Sequence, residues 1–436
     1  MIRLANVLIV DADHARADAL ERRLAHIGYH GAIADTVADG RHAARMEHPD
    51  LILVGTPRNG DAITFAKGLK ADGETADIPV LLVADTVTAD LCAAAFAAGL
   101  DDILVAGCGD AELAARLRPL GRLSTMHAEL RHRASVARQL TTEARERVEA
   151  PEAARPSILV VGDDAGPIEA ALSGDGEITT TVNLYDAEDL LSRTNFDACV
   201  VSFRDEGDAG LLAFCSQVRN NPRLFNLPIL LLSHGIDPSA AYRSGATRVL
   251  AGPVDPVILR TSLLTLVRRQ QLRWAIRSAL NDSLEGACRD EATGAYSRAF
   301  FDAYVEERLA VALGRNRHMA VAFFSAPSVA AVGRQFGDDA RQHLILQLCQ
   351  WITGLVRAED LTAAFGEHEF CVVLPDTPLA EAEVVMHRIA GVLAYTDFAV
   401  REVYQPVKVW VQVGATDAQH GDDVPALLAR ARRNLG

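Results

Sequence analysis

The chain contains no run of eighteen apolar residues and no basic-then-apolar leader. The sequence therefore offers neither a membrane-spanning helix nor a secretory signal, and it predicts a cytosolic protein. Paired cysteines are missing as well. The seven present (Cys92, Cys108, Cys199, Cys215, Cys288, Cys349, Cys371) are odd in number and scattered, with no C-x-x-C pair. That pattern predicts buried free thiols in a reducing compartment. Nor is there an excess of positive charge: 58 acidic against 43 basic side chains give a net charge of −15. This argues against a general nucleic-acid or membrane-surface binder, while leaving room for a local basic pocket.

What is there is apolar content of 49% spread over 436 residues. That is too long for one core, and about two to four domains are expected. Residues 7–10 form an apolar run ending at Asp11-Ala12-Asp13. Further strand-like runs follow at 31–34, 51–54, 80–83 and 103–105, alternating with helical stretches. Such alternation predicts a parallel sheet with crossover helices. Residues 113–154 read as a helix passing into a polar helical linker, closed by Pro151 and Pro156, with Pro119 expected to kink or interrupt it. The strand pattern then repeats at 158–161, 198–201 and 229–232, with a period far too long for a solenoid. Residues 258–284 form another helix, in which Leu272, Ile276, Leu280 and Leu284 share one stripe. Such a stripe belongs to an intramolecular core more often than to a coiled coil, with a stalk as the second reading. Finally, 361–365 and 371–374 are apolar runs flanking the polar turn Gly366-Glu367-His368-Glu369-Phe370, a β-hairpin signal.

The first two segments resemble receiver domains. Asp11 fits the acidic cluster of that family, and Gly99-Leu100-Asp101-Asp102-Ile103-Leu104 fits its G-A-D-D-Y-L segment. Receiver chemistry needs an Asp acceptor, a hydroxyl, a Lys and carboxylates for Mg²⁺. The first segment offers Gly55, Ala84 and Ala106 there, and the second offers Ser202, Ser233 and Gly252. Neither Gly55 nor Ser202 suits phosphoaspartate formation, so both copies are expected to serve as adaptor modules. Asp11 and Asp13 are expected to be solvated strand-end carboxylates, with weak cation binding as the alternative.

The hairpin resembles the signature of GGDEF domains, the diguanylate cyclase family. An Arg357-Ala358-Glu359-Asp360 motif lies five residues upstream, as the family's R-x-x-D motif does, and Asp290 to Arg298 resembles its opening D-x-L-T-G-L-x-N-R segment. The resemblance places the two metal carboxylates on Ser325 and His368, and the guanine-reading residues on Gly333 and Gln342. Gly366 is kept and Glu369 survives, but the second signature glycine is Glu367, whose charge would repel a triphosphate. Imidazole is a poor magnesium ligand, so a solvent-exposed turn histidine is the expectation for His368. No catalytic residue, metal or cofactor is expected.

What the resemblance preserves is an inhibitory site for cyclic di-GMP, formed by Arg357, Asp360 and, on a helix over 380–393, Arg388. An arginine fork suits phosphate oxygens or guanine O6 and N7, and a carboxylate can accept from guanine N1–H. The bland alternative is a surface Arg–Asp pair, worth about 0–1 kcal/mol. The same spacing at Arg58-Asn59-Gly60-Asp61 has no such turn beside it.

The expected architecture is α/β and multidomain. Two doubly wound, flavodoxin-like receiver domains (1–122 and 155–270) precede a nucleotide-cyclase-like GGDEF domain (289–436), with a helical linker (123–154) and a stalk (271–288) between. The resemblance to receiver–receiver–GGDEF response regulators implies a homodimeric, non-enzymatic cyclic di-GMP effector. It further implies protein partners in cell-cycle control, at a cell pole and in recruitment for regulated proteolysis, and neither nucleic-acid binding nor membrane insertion. A residual diguanylate cyclase and a ligand-independent dimeric scaffold are the alternatives.

Overall fold

The computed structural model describes every residue except 1–3, 141–145, 147, 149–154, 164, 204–207, 222, 234, 283–285 and 402. Pro151 and Leu284 thus lie outside the described residues. The chain forms two compact units, one made of 5–124 with 149–275 and the other of 1–4, 125–148 and 276–436.

The first unit holds two parallel sheets. The strands of the first are β1 (Ala5–Val10), β2 (Tyr29–Ala34), β3 (Leu51–Val54), β4 (Val80–Ala84) and β5 (Asp102–Val105). Those of the second are β6 (Ser157–Gly162), β7 (Glu177–Thr181), β8 (Ala198–Ser202), β9 (Ile229–Ser233) and β10 (Arg248–Ala251). The orders are β2-β1-β3-β4-β5 and β7-β6-β8-β9-β10, the doubly wound flavodoxin-like arrangement. Helices cover both faces, so β3 (LILV) and β9 (ILLLS) are buried along their whole length and read as unbroken apolar runs. β7 carries no such run (EITTT, none of it fully buried), and it escaped the sequence reading for that reason.

One buried carboxylate knits the two sheets together. Asp102, only 3% exposed, accepts from Arg116 at 3.1 Å and pairs with Arg248. Arg116 also reaches the Tyr242 hydroxyl at 3.5 Å. The helix carrying Arg116 runs from Asp110 to Gln139 and continues through Pro119. The expected interruption does not occur: Leu113, Leu117, Leu120 and Leu123 are all buried, and this continuous apolar stripe outweighs the loss of one helical hydrogen bond.

The second unit is built on β11 (Met319–Ser325), β12 (Leu361–Gly366), β13 (Glu369–Pro375) and β14 (Gln412–Asp417). They form an antiparallel sheet of order β12-β13-β11-β14. Side chains alternate across it. Phe323 packs beneath the helices Arg298–Gly314 and Val424–Arg433, and Phe324 beneath Asp338–Leu355 and Leu379–Tyr395. Both faces are covered, which is why β13 reads as an apolar run.

A buried polar network joins the second half of the Asp110–Gln139 helix to this unit. Glu129 accepts from the Tyr304 hydroxyl at 2.7 Å and lies 3.0 Å from the Arg308 guanidinium. Asp376 takes Arg308 at 3.2 Å, Arg317 at 2.8 Å and the Thr125 hydroxyl at 2.9 Å. Glu129 and Arg133 are therefore parts of the unit's interior rather than of a solvated connector. Ile276 and Leu280 are buried in the same unit, the intramolecular role expected of their stripe.

Candidate functional site

The Asp338–Leu355 helix ends at Val356, and the next four residues form a tight loop before β12. The loop closes on itself: the Arg357 N–H donates to Asp360 Oδ2 at 2.8 Å, and the Asp360 N–H donates back to the Arg357 carbonyl at 3.2 Å. From within the unit, buried Arg133 donates to the Glu359 carbonyl at 2.6 Å and to the Tyr296 hydroxyl at 3.3 Å. Asp360 is 6% exposed, and its Oδ1 is sealed without a hydrogen-bond partner. Burial and the neighbouring Glu359 charge push its pKa up to about 7, against the pull of Arg357.

The Arg357 side chain is 24% exposed and turns away from Asp360. It reaches Thr377 Oγ1 at 3.5 Å and Glu381 at 3.7 Å. Arg357 and Asp360 line a cavity of about 640 Å³, together with Arg133, Arg277, Arg289 and Asn281. Its cationic walls suit a phosphate-bearing ligand, and its size lies within the usual range for small-molecule sites.

Arg388 stands apart. It lies seven residues beyond Glu381 on the Leu379–Tyr395 helix, exposed, with no hydrogen bond or ion pair among the described residues, and it does not line this cavity. Conversely, the sequence reading did not assign Arg277 or Arg289 to the site. Arg289 donates to the Asn281 carbonyl at 2.8 Å and covers the Tyr296 ring at 4.3 Å. Arg277 is exposed at the cavity wall. Nothing local marked either: Arg277 sits on a helix where an arginine has the same pattern whether it faces solvent or a pocket, and Arg289 lies in an irregular segment bridged to Tyr296.

The hairpin turn lies elsewhere on the sheet. Gly366 pairs with Glu369 across the turn Glu367–His368, with an irregularity in register between Ala364 and Gly366. Neither turn residue has positive φ, and the register irregularity falls at Phe365, beside the turn. Ser325 faces Glu369 in the β11–β13 register. The Glu369 carboxylate is already committed, since it pairs with Arg432, whose guanidinium stacks on Phe323 and Phe365 at 4.9 and 4.8 Å.

His368 is half-buried, not solvent-exposed as expected, and its Nδ1 is sealed without a partner. The cause is local: its carbonyl accepts from the Ala326 N–H at 3.0 Å, tying the turn to the end of β11. Gly333 lies on the Ser328–Phe336 helix, where an added Cβ would come within 3.0 Å of Arg341. Gln342 donates to Asp338 at 3.1 Å. Among the described residues no three His, Cys, Asp or Glu side chains form a metal site. The magnesium that the GGDEF resemblance implies does not fit a serine, an imidazole and a carboxylate already paired with arginine.

The receiver-like sites are closed by their own side chains. Asp11 is 2% exposed rather than solvated, because Arg16 binds it through Nε at 2.6 Å and a terminal nitrogen at 2.8 Å. The arginine supplies the positive charge that a cation would bring. Asp13 is exposed and caps the first helix, accepting from the Arg16 N–H at 3.1 Å. At Gly55 a Cβ would lie 2.1 Å from Asp11 Oδ2, so no side chain fits there without rearrangement. Ser202 is buried, with its Oγ sealed and unpartnered. The Ser233 hydroxyl is turned to the Ile236 carbonyl at 3.3 Å. The seven cysteines are all free, six of them buried and Cys108 half-buried.

The fold class is therefore two flavodoxin-like parallel α/β sheets followed by a cyclase-like antiparallel sheet. Residues 287–436 match the family described as "Diguanylate cyclase, GGDEF domain". Over 445 residues the chain is 27% identical to "Response regulator PleD" of Caulobacter vibrioides, covering 98% of this chain and 95% of PleD. Among solved structures, the GGDEF domain of DgcB from Caulobacter crescentus in complex with c-di-GMP aligns at 16% identity and a TM-score of 0.33, over 34% of this chain and 88% of that one. The FimX GGDEF domain from Pseudomonas aeruginosa aligns at the same identity and TM-score, over 34% and 91%. Among the described residues no helix is long and apolar enough to cross a membrane.

Proposed function

We propose that this chain is a non-catalytic receptor for cyclic di-GMP that acts through protein–protein contact. The observation carrying this reading is a contrast between two sites on one sheet. At the turn, the Glu369 carboxylate is held by Arg432, and the positions to which the resemblance assigns metal carboxylates are Ser325 and His368. At the R-x-x-D loop, Arg357 and Asp360 line a cavity large enough for a nucleotide ligand. Arg357 contacts phosphate or a guanine edge, and ionised Asp360 accepts from guanine N1–H; Arg388, outside the cavity walls, would meet only a part of the ligand that extends beyond them. By the receiver–receiver–GGDEF resemblance, the chain is a homodimer without a resident cofactor. It recruits partners in cell-cycle control, at a cell pole and for regulated proteolysis. Ligand shifts its assembly only through unequal affinity for the two states.

A second reading, a residual diguanylate cyclase, is favoured by the family match over residues 287–436. One experiment separates the two. Calorimetry with cyclic di-GMP is expected to give micromolar or tighter binding, and incubation with GTP and Mg²⁺ to give no cyclic product. Product formation would establish the second reading, and absence of binding would refute the first.

A further inference from the structure

The first unit contains a second cavity, of about 310 Å³, enclosed by the helix from Asp110, the Asp208–Asn220 helix and the helix from Pro256. Six arginines line it: Arg118, Arg122, Arg219, Arg243, Arg269 and Arg273. No aspartate or glutamate lines it, although acidic residues outnumber basic ones in the chain, 58 to 43. Six like charges around one small space are not the pattern of a solvated surface.

The way these arginines are satisfied sharpens the point. Arg219 gives its hydrogen bonds to neutral oxygens: the Gly245 carbonyl at 2.7 Å, Leu227 at 2.6 Å, Phe225 at 3.1 Å and the Thr247 hydroxyl at 2.9 Å. The Asn226 amide oxygen accepts from Arg273 at 2.6 Å. Arg243 lies 3.7 Å from Asp237, both of them largely exposed. Arg269 is the telling residue. It is 9% exposed, lines the cavity, and makes no hydrogen bond or ion pair with any described residue. The carboxylate with most influence on it, Asp101, is already ion-paired with Lys70 at 2.7 Å. A buried guanidinium without a counter-charge is costly, and the cost is relieved when an anion supplies the missing charge.

We propose that this cavity binds a small ligand carrying a diphosphate group, with Arg269 at its floor and Arg118, Arg122 and Arg243 at its rim. The guanidinium fork matches phosphoryl oxygens in pairs, and several forks around one space match two linked phosphates better than a single carboxylate. The volume accommodates free pyrophosphate or the diphosphate end of a nucleotide. The site is separate from the Arg357–Asp360 cavity, and its occupancy does not depend on the cyclic di-GMP reading.

The test uses the full chain, with inorganic pyrophosphate and ADP as probes, in calorimetry and thermal unfolding at constant ionic strength. Both probes are expected to bind and to raise the melting temperature, whereas sulfate at equal ionic strength does neither. Tighter binding of ADP marks a nucleotide as the ligand, and equal binding marks the diphosphate alone. Arg269→Met is expected to raise the melting temperature of the unliganded protein while weakening pyrophosphate at least tenfold. This pairing separates a binding role from a structural one. The double variant Arg118→Ala/Arg122→Ala weakens binding with little change in unliganded stability, and Arg357→Ala leaves pyrophosphate binding untouched. Absence of pyrophosphate binding at millimolar concentration, an equal response to sulfate, or unchanged affinity in Arg269→Met would overturn the proposal.

Discussion

Arg357 and Asp360 are joined by a hydrogen bond from the Arg357 backbone to the Asp360 carboxylate, not by a guanidinium–carboxylate bond. The Arg357 N–H donates to Asp360 Oδ2 at 2.8 Å, while the guanidinium reaches toward Thr377 and Glu381. A simple surface ion pair is therefore not what this motif forms. The carboxylate shapes the loop, and the arginine projects its fork from it.

That division makes Arg357→Ala a clean binding variant. Removing one partner of a buried charged contact typically costs about 2–5 kcal/mol. Cyclic di-GMP affinity is expected to fall by that amount, with the denaturation midpoint nearly unchanged. Calorimetry and urea unfolding on the same preparation check both halves.

Asp360 should make binding pH-dependent. Its pKa is raised to about 7, so it is largely protonated below that and cannot accept from a guanine N1–H. Affinity is expected to rise from pH 6 to pH 8, with a slope approaching about tenfold per unit on the acid side. The stability term has the opposite sense. A carboxylate whose folded value lies above its unfolded one of about 3.9 stabilises fully at lower pH and loses that contribution as pH rises through 7. Asp360→Asn should flatten the binding profile; an unaltered profile in that variant would point to another group.

Placing an aspartate where the receiver resemblance expects a phosphoacceptor should fail. In Gly55→Asp the new Cβ would enter the space of the Asp11 carboxylate, which Arg16 holds in place. Overpacking of this kind costs about 1–3 kcal/mol. The variant is expected to be destabilised and to bind no beryllofluoride, as judged by thermal unfolding and fluoride NMR.

The Asp376 network should be a stability hot spot. Burial opposes ionisation of this carboxylate, but Arg317 and Arg308 more than compensate and hold its pKa below the ordinary value. Its contribution is present above the unfolded pKa and is lost as pH falls through the folded one, in the acid range. Asp376→Asn removes the Asp376 charge from buried Arg317 and leaves Arg308 with Glu129 alone, a loss of about 3–5 kcal/mol. Urea denaturation at neutral pH measures it, and the difference from wild type should shrink toward acid pH.

Much of the fold was legible because its signals are local. The runs at 51–54 and 229–232 needed no context to be read as buried parallel strands, since helices on both faces demand apolar residues throughout. The residues at Gly55, Ser202, Ser325 and His368 were equally plain as letters, while reading them as lost carboxylates rests on the family resemblance. β7 and β14 went unread, as polar or mixed strands carry no period strong enough to stand out.

Charge partnership is where local reading stopped. Nothing in the letters says that Arg16 closes the Asp11 pocket, that Arg432 occupies Glu369, or that Glu129 and Arg133 leave an apparently polar helix for the interior of a folded unit. The residue types decided which chemistry was on offer. Which cation meets which carboxylate was decided only by folding, because electrostatic pairing depends on separations in space, and residues 63 positions apart such as Glu369 and Arg432 become neighbours only when the sheet and its covering helix pack.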